Sequence, residues 1–214
     1  LSSHKMYRPN TDLCRILAEG IQSGLVEGPV QLLIRPHPAC FEVDGKWSDI
    51  AREELEAFKA IAENYSDHVA LDRLGVTRHE TALDIAAKEQ EQIKARILTC
   101  DVMVNSYSTQ AIEAAALDCP IVNIAFGFYK RSQRPTKIVD DFNHYRRIIQ
   151  SGGVRNVYDE AELFEAINAY LRDPTLDREK RSGIVDQEIP VNRGKAGKAV
   201  GDRVINLLYE KAAN

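Results

Sequence analysis

Residues 101–126, "DVMVNSYSTQAIEAAALDCPIVNIAF", constrain the fold of this chain more than any other stretch. An apolar run at 102–105 ends in a polar turn, a helical stretch covers 109–117, Asp118-Cys119-Pro120 breaks it, and a second apolar run covers 121–125. Two strands joined by one helix with almost no slack must lie parallel, because the helix carries the chain back across the face of the sheet.

The rest of the chain repeats the alternation. From Thr11 to about Leu25, apolar residues Leu13, Ile16, Leu17, Ile21 and Leu25 recur at helical spacing, with Thr11 as the N-cap. Gly28-Pro29 breaks the chain ahead of a buried strand, "VQLLI" at 30–34. A helix is expected from Ser48 to Asn64, with Ile50, Leu55, Phe58 and Ile61 on one side. A short strand "HVALD" (68–72), a long helix within 81–98 and a last strand "VRNVY" (154–158) follow in order. Asp159 begins a helix running to Leu171, and Glu162 three residues on completes a capping-box pattern. "RGKAGKAVG" (193–201) leads into a final helix at about 195–212.

Strands alternating with helices predict an α/β fold: a Rossmann-like parallel sheet with helices on both faces. The 214 residues suffice to bury a sizeable core. No repeat, low-complexity tract or Pro/Ser-rich linker divides them, so residues 1–214 read as a single domain. The first clear element is a helix, whereas such sheets usually open with a strand. "LSSHKMYRPN" therefore reads as the loop after a strand outside this sequence, and the chain is expected to be the second half of a longer protein.

A formal net charge of −4 argues against general affinity for nucleic acid. No apolar run approaches the ~18 residues of a membrane span. The first ten residues lack the core of a signal peptide. Cys14, Cys40, Cys100 and Cys119 form no CxxC pair, which argues against structural zinc and for a reducing, cytoplasmic setting, with each cysteine a small buried residue. The five histidines show no metal-ligand spacing, and no P-loop, GxSxG or HExxH motif occurs.

In open parallel sheets ligands bind beyond the C-terminal ends of the strands. Three segments follow strands: Arg35-Pro36-His37-Pro38, Asn105-Ser106-Tyr107-Ser108-Thr109, and the basic loop "GFYKRSQRPTK" at 127–137. In the second, Ser108 or Thr109 would cap the helix at 109–117, where free amides and the helix dipole make an anion site. Ser106, Ser108 and Thr109 add hydroxyls suited to a phosphate or diphosphate. Glu113, one turn on, suits a ribose diol. Ala114-Ala115-Ala116 lets this helix pack close to the sheet. The same residues have plainer readings: Ser108 and Thr109 as caps only, Glu113 as a solvated helix residue, His37 as a turn histidine, Arg35 as a surface cation.

"LLIRPHP", "CDVMVNSYSTQAIEAAALDCPIV", "VYDEAELFEAINAYLRDP" and "NRGKAGKAVGDRVINLL", in this order, resemble the C-terminal half of GT-B glycosyltransferases over residues 30–210. The group resembled most closely contains the CDP-glycerol glycerophosphotransferases and the capsule and surface-polysaccharide transferases. The resemblance implies a donor-binding domain for a nucleotide-sugar or CDP-polyol, with no tightly bound cofactor. It implies that Ser106, Ser108 and Thr109 contact donor phosphates, Glu113 the ribose, and His37 the diphosphate or transferred group as the catalytic candidate. Arg35 adds positive charge, and Arg131 and Arg134 close over the donor. Related polymerases often carry an acidic residue before the serines, where this chain has Asn105. The implied partner is an N-terminal domain of the same protein, and the implied place is the cytoplasm, at the inner face of the membrane. Tyr145-Arg146-Arg147-Ile148-Ile149 is the one patch suited to that surface. Two alternatives stay open: a UDP-N-acetylglucosamine 2-epimerase-like domain of the same architecture, and a nucleotide-binding module without turnover.

Overall fold

The computed structural model describes residues 10–36, 49–72, 82–126 and 143–212. In chain order the elements are α1 (Asn10–Gln22), β1 (Leu32–Ile34), α2 (Asp49–Asn64), β2 (Val69–Leu71), α3 (Ala82–Leu98), β3 (Met103–Asn105), α4 (Gln110–Ala116), β4 (Ile121–Ile124), α5 (Asn143–Gln150), β5 (Arg155–Val157), α6 (Glu160–Arg172), α7 (Arg178–Glu188) and α8 (Ala196–Ala212). All described strand pairs are parallel, β1 with β2, β3 with β4, and β4 with β5. They form a two-stranded and a three-stranded sheet.

One core serves both sheets. Leu13 and Leu17 of α1 cluster with Val122 and Ile124 of β4, Val157 of β5, and Leu163, Ile167 and Tyr170 of α6, while Leu32 of β1 and Val104 of β3 pack against them. The opposite face of β4 presents Ile121 to a second cluster containing Ala111, Ala114 and Ala115 of α4, Ile148 of α5 and Ile184 of α7. Alternate residues of a strand point to opposite faces, and all four residues of β4 are buried, as a parallel strand covered on both sides requires. A third cluster joins Cys14 and Ala18 of α1 to Phe58 and Ile61 of α2, Ile34 of β1 and Val69 of β2. The molecule is thus α/β, Rossmann-like, with helices on both faces of parallel strands, as the alternation predicts.

Close approach shapes the α1–α6 contact. A Cβ on Gly20 would lie 2.2 Å from the Phe164 ring, so only glycine admits the ring there. Asn168, buried on α6, donates to Leu25 O (2.8 Å) and accepts from Glu27 N (2.9 Å), which ties the chain leaving α1 to α6.

Several local expectations are corrected. Thr11 is a buried residue inside α1, not its N-cap. Ala116 is exposed, so only Ala114 and Ala115 of that run face the core. Cys14 and Cys119 are buried as expected, whereas Cys100 is exposed; Cys40 lies outside the described residues. The patch at 145–149 belongs to α5, where Tyr145 and Ile148 are buried and Arg147 pairs with Glu188 at 3.1 Å. A helix that sends those side chains inward cannot also offer them to a lipid surface. No described helix is long and apolar enough to cross a membrane. α8 holds Val200, Val204, Leu207 and Leu208 exposed.

Candidate functional site

The turn between β3 and α4 lies at the C-terminal ends of the three-stranded sheet. Tyr107 takes a left-handed backbone, φ 50°, a costly conformation for an aromatic residue. Its surroundings hold it there. Tyr107 N donates to Asn123 Oδ1 at 2.6 Å, and Asn123 Nδ2 donates to Asn156 Oδ1 at 2.7 Å. Tyr145 OH donates to Ser108 O at 2.6 Å, and its ring meets that of Tyr107 edge-on at 5.3 Å. Ser106 Oγ donates to Ile124 O at 3.4 Å, clipping the end of β3 to β4.

Asn105, Asn123 and Asn156 are register partners, one on each strand. They form a polar row under the turn. Asn123 is fully buried, and its amide is satisfied on both sides. Asn105 is 3% exposed, and neither of its amide atoms has a hydrogen-bond partner. An orphaned buried amide costs about 1–3 kcal/mol, a cost that Asn105 places beneath the turn.

The start of α4 differs from the expected anion site. Gln110 N donates to Ser108 Oγ (3.3 Å), Ala111 N to Ser108 O (3.0 Å) and Ile112 N to Thr109 O (3.0 Å). Thr109 occupies the N-cap position with helical dihedrals (φ −62°, ψ −12°), and its hydroxyl makes no cap bond. The tight i→i+3 entry consumes amides that a looser start would leave free. Ser108 is therefore the residue that caps, and the amides of Gln110, Ala111 and Ile112 are occupied within the protein.

Arg35 and Glu113 follow different strands, and the charge of the first reaches the carboxyl of the second. Arg35 follows β1 and is half-buried, while Glu113 lies on α4 beyond β3. Glu113 is an exposed residue of α4, as its plainer reading expects; partial desolvation of its carboxyl still raises it above its ordinary value, and the Arg35 charge pulls it part of the way back. His37, Arg131 and Arg134 lie outside the described residues. No cluster of three or more metal-ligating side chains occurs among the described residues.

The opposite end of the sheet is a knot of ion pairs. Arg155 pairs with Asp177 (2.9 Å), while Arg178 and Arg181 both pair with Asp118 (2.7 and 2.9 Å). An open depression of about 480 Å³ lies there too, lined by Thr175 to Lys180 and away from the strand ends that carry Arg35 and Glu113.

Sequence reasoning passed over Asn123 and read Tyr145 only as part of a membrane patch, whereas both hold the turn. The signal for Asn123 was its place, three residues into a run otherwise apolar, "IVNIA". Tyr145 carried none, since it lies on a helix that was not anticipated.

Fold and site define the class as an α/β protein of Rossmann-like form whose candidate site sits at parallel strand ends. No family model, curated protein or solved structure matches the chain.

Proposed function

We propose that the chain is the donor-binding domain of a GT-B transferase, taking a nucleotide-sugar or CDP-polyol for cell-surface polysaccharide assembly. One observation carries this reading: the charge of Arg35, which follows β1, reaches the carboxyl of Glu113, on the helix that follows β3. Open parallel sheets bind nucleotides at such ends. A guanidinium suits a diphosphate and a carboxylate suits a ribose diol. In this role Arg35 offsets the charge that builds on the departing diphosphate, Glu113 accepts from the ribose, and the hydroxyls of Ser106, Ser108 and Thr109 meet the phosphates. His37 faces the transferred group, and Arg131 and Arg134 close over the donor. An N-terminal domain supplies the acceptor and the base that activates it, and the reaction runs in the cytoplasm at the inner face of the membrane.

A second reading, in which the turn is structural only, draws support from the first amides of α4, which are already hydrogen-bonded within the chain. Calorimetric titration with CDP, UDP, GDP and CMP separates the two. The donor reading expects preference for one nucleoside diphosphate, weakened in both Arg35→Ala and Glu113→Ala. A folded chain that takes up none of the four at millimolar concentration leaves the structural reading standing.

A further inference from the structure

We propose that Cys100 and Cys119 form a dithiol that a hydroperoxide oxidises to a disulfide across the N-terminal ends of β3 and β4. The inference is independent of the donor site, which lies at the other end of the same strands.

The two residues are brought together by strand register. Met103 pairs with Ile121, and Met103 N donates to Pro120 O at 2.8 Å. Carrying that register back by two residues sets Asp101 beside Cys119, with Cys100 one residue earlier. Neighbouring strands lie about 5 Å apart, within the Cα separation of about 4.4–6.8 Å that a disulfide spans. The Cys119 thiol reaches the Cys100 backbone itself. Cys119 Sγ lies 3.6 Å from Cys100 O and 3.5 Å from Pro120 O, and Cys100 Sγ lies 3.0 Å from Val102 O.

The pair is unequal in a way that suits stepwise oxidation. Cys100 is exposed and Cys119 is 4% exposed within the core. The neighbouring Cys119 thiol lowers the Cys100 thiol below its ordinary value, while the nearness of Cys100 and burial push Cys119 up. The reachable sulfur is thus the better nucleophile, since the thiolate is the reactive form. The turn that carries Cys119 is held from α7, because Asp118 accepts from Arg181 at 2.9 Å and Arg178 at 2.7 Å.

The chemistry balances in two steps. The Cys100 thiolate attacks the terminal oxygen of the hydroperoxide; an S–O bond forms, the O–O bond breaks, and the alcohol leaves with the thiol proton. The Cys119 sulfur then attacks Cys100 sulfur; an S–S bond forms, the S–O bond breaks, and water leaves with the Cys119 proton. Each sulfur gives up one electron and the peroxide takes both. Attack by a small thiol on the exposed Cys100 sulfur reverses the bond.

The test uses the full chain, reduced, desalted and treated with hydrogen peroxide. No Lys or Arg lies between Arg96 and Lys130, so one tryptic peptide, 97–130, carries both cysteines and no other. The proposal expects this peptide to lose two hydrogens and resist alkylation at both sulfurs. Dithiothreitol restores both thiols, which separates the bond from sulfoxide at Met103 in the same peptide. Cys100→Ser, an exposed substitution, abolishes the loss, and Cys14→Ser leaves it intact. Retention of both thiols under peroxide overturns the proposal. So does sulfinic acid at Cys100 with Cys119 still alkylatable, or a disulfide that joins either residue to Cys14, Cys40 or a second chain.

Discussion

The buried guanidinium of Arg181 donates to Asp118 Oδ1 at 2.9 and 3.2 Å, so one side chain of α7 holds the turn that opens β4. It also donates to Pro174 O at 2.9 Å and to Leu176 O. Asp118 sits at φ 56°, a left-handed position that aspartate tolerates better than most residues. Arg181→Leu matches the burial but leaves two carbonyls and Asp118 Oδ1 without their donor, while Arg178 still holds Oδ2. Such losses run to about 3 kcal/mol in total. Urea unfolding followed by circular dichroism is expected to show that drop with an unchanged slope.

Asn168 links segments 143 residues apart through two bonds to the backbone at Leu25 and Glu27. Asn168→Leu removes both bonds, which are only partly buried, and is expected to cost about 1–2 kcal/mol. Asn168→Asp keeps the acceptor for Glu27 N and loses only the donor to Leu25 O. It is expected to cost less, and chemical denaturation of both variants side by side checks the order.

The N-terminus of α6 gives a smaller, separable effect. Asp159 Oδ1 accepts from Glu162 N at 2.8 Å, and Glu162 Oε2 accepts from Tyr158 N at 2.8 Å. Asp159→Ala removes the first of these and is expected to cost about 1 kcal/mol, read as a lower Tm.

Two carboxyls bend the stability–pH curve in opposite directions. Burial pushes Asp177 up, but hydrogen bonds from Arg155, Lys180 and Tyr170 outweigh it and hold the group below its ordinary 3.8. A depressed folded value means the unfolded chain binds more protons, so this stabilisation is present above 3.8 and is lost as pH falls through the folded value. Partial desolvation holds Glu113 above its ordinary 4.5 despite Arg35. There the folded chain binds more protons, and a destabilising contribution grows as pH rises from 4.5 through the folded value. Asp177→Asn is expected to lower Tm at neutral pH and flatten the acid limb. Glu113→Gln is expected to raise Tm at neutral pH relative to acid. Thermal melts from about pH 2 to about pH 8 decide both.

Where local pattern and packing agree, the sequence was legible. Asp159 and Glu162 announced α6, and Leu55, Phe58 and Ile61 announced the buried side of α2. The βαβ unit was readable because its two apolar runs leave no room for another topology. α7 was not, because its buried members are Arg181 and Ile184 in the polar string "REKRSGIVDQE". An arginine enters a core only when acceptors converge on it, and these come from Asp118, Pro174 and Leu176, whose meeting is decided by tertiary structure. The places of Arg35 after β1 and of Glu113 on the helix after β3 were readable. The reach of the one charge to the other was not, nor was the occupation of the α4 amides by Ser108 and Thr109, because backbone dihedrals choose between a loose and a tight helix start.

The asparagine row has a consequence for how the sheet assembles. A slide of β4 along β3 by one residue turns its apolar faces inside out and is excluded by burial alone. A slide by two residues preserves the faces, and hydrophobicity offers little against it. It would set Met103 beside Asn123, carry the Asn123 oxygen away from Tyr107 N, and strand buried amides at about 1–3 kcal/mol each. Asn123 and Asn156, whose bonds depend on the register, therefore work as alignment marks. They let the chain tell correct pairing from a near-copy of it, and they fix the height at which the strands stop and the turn begins.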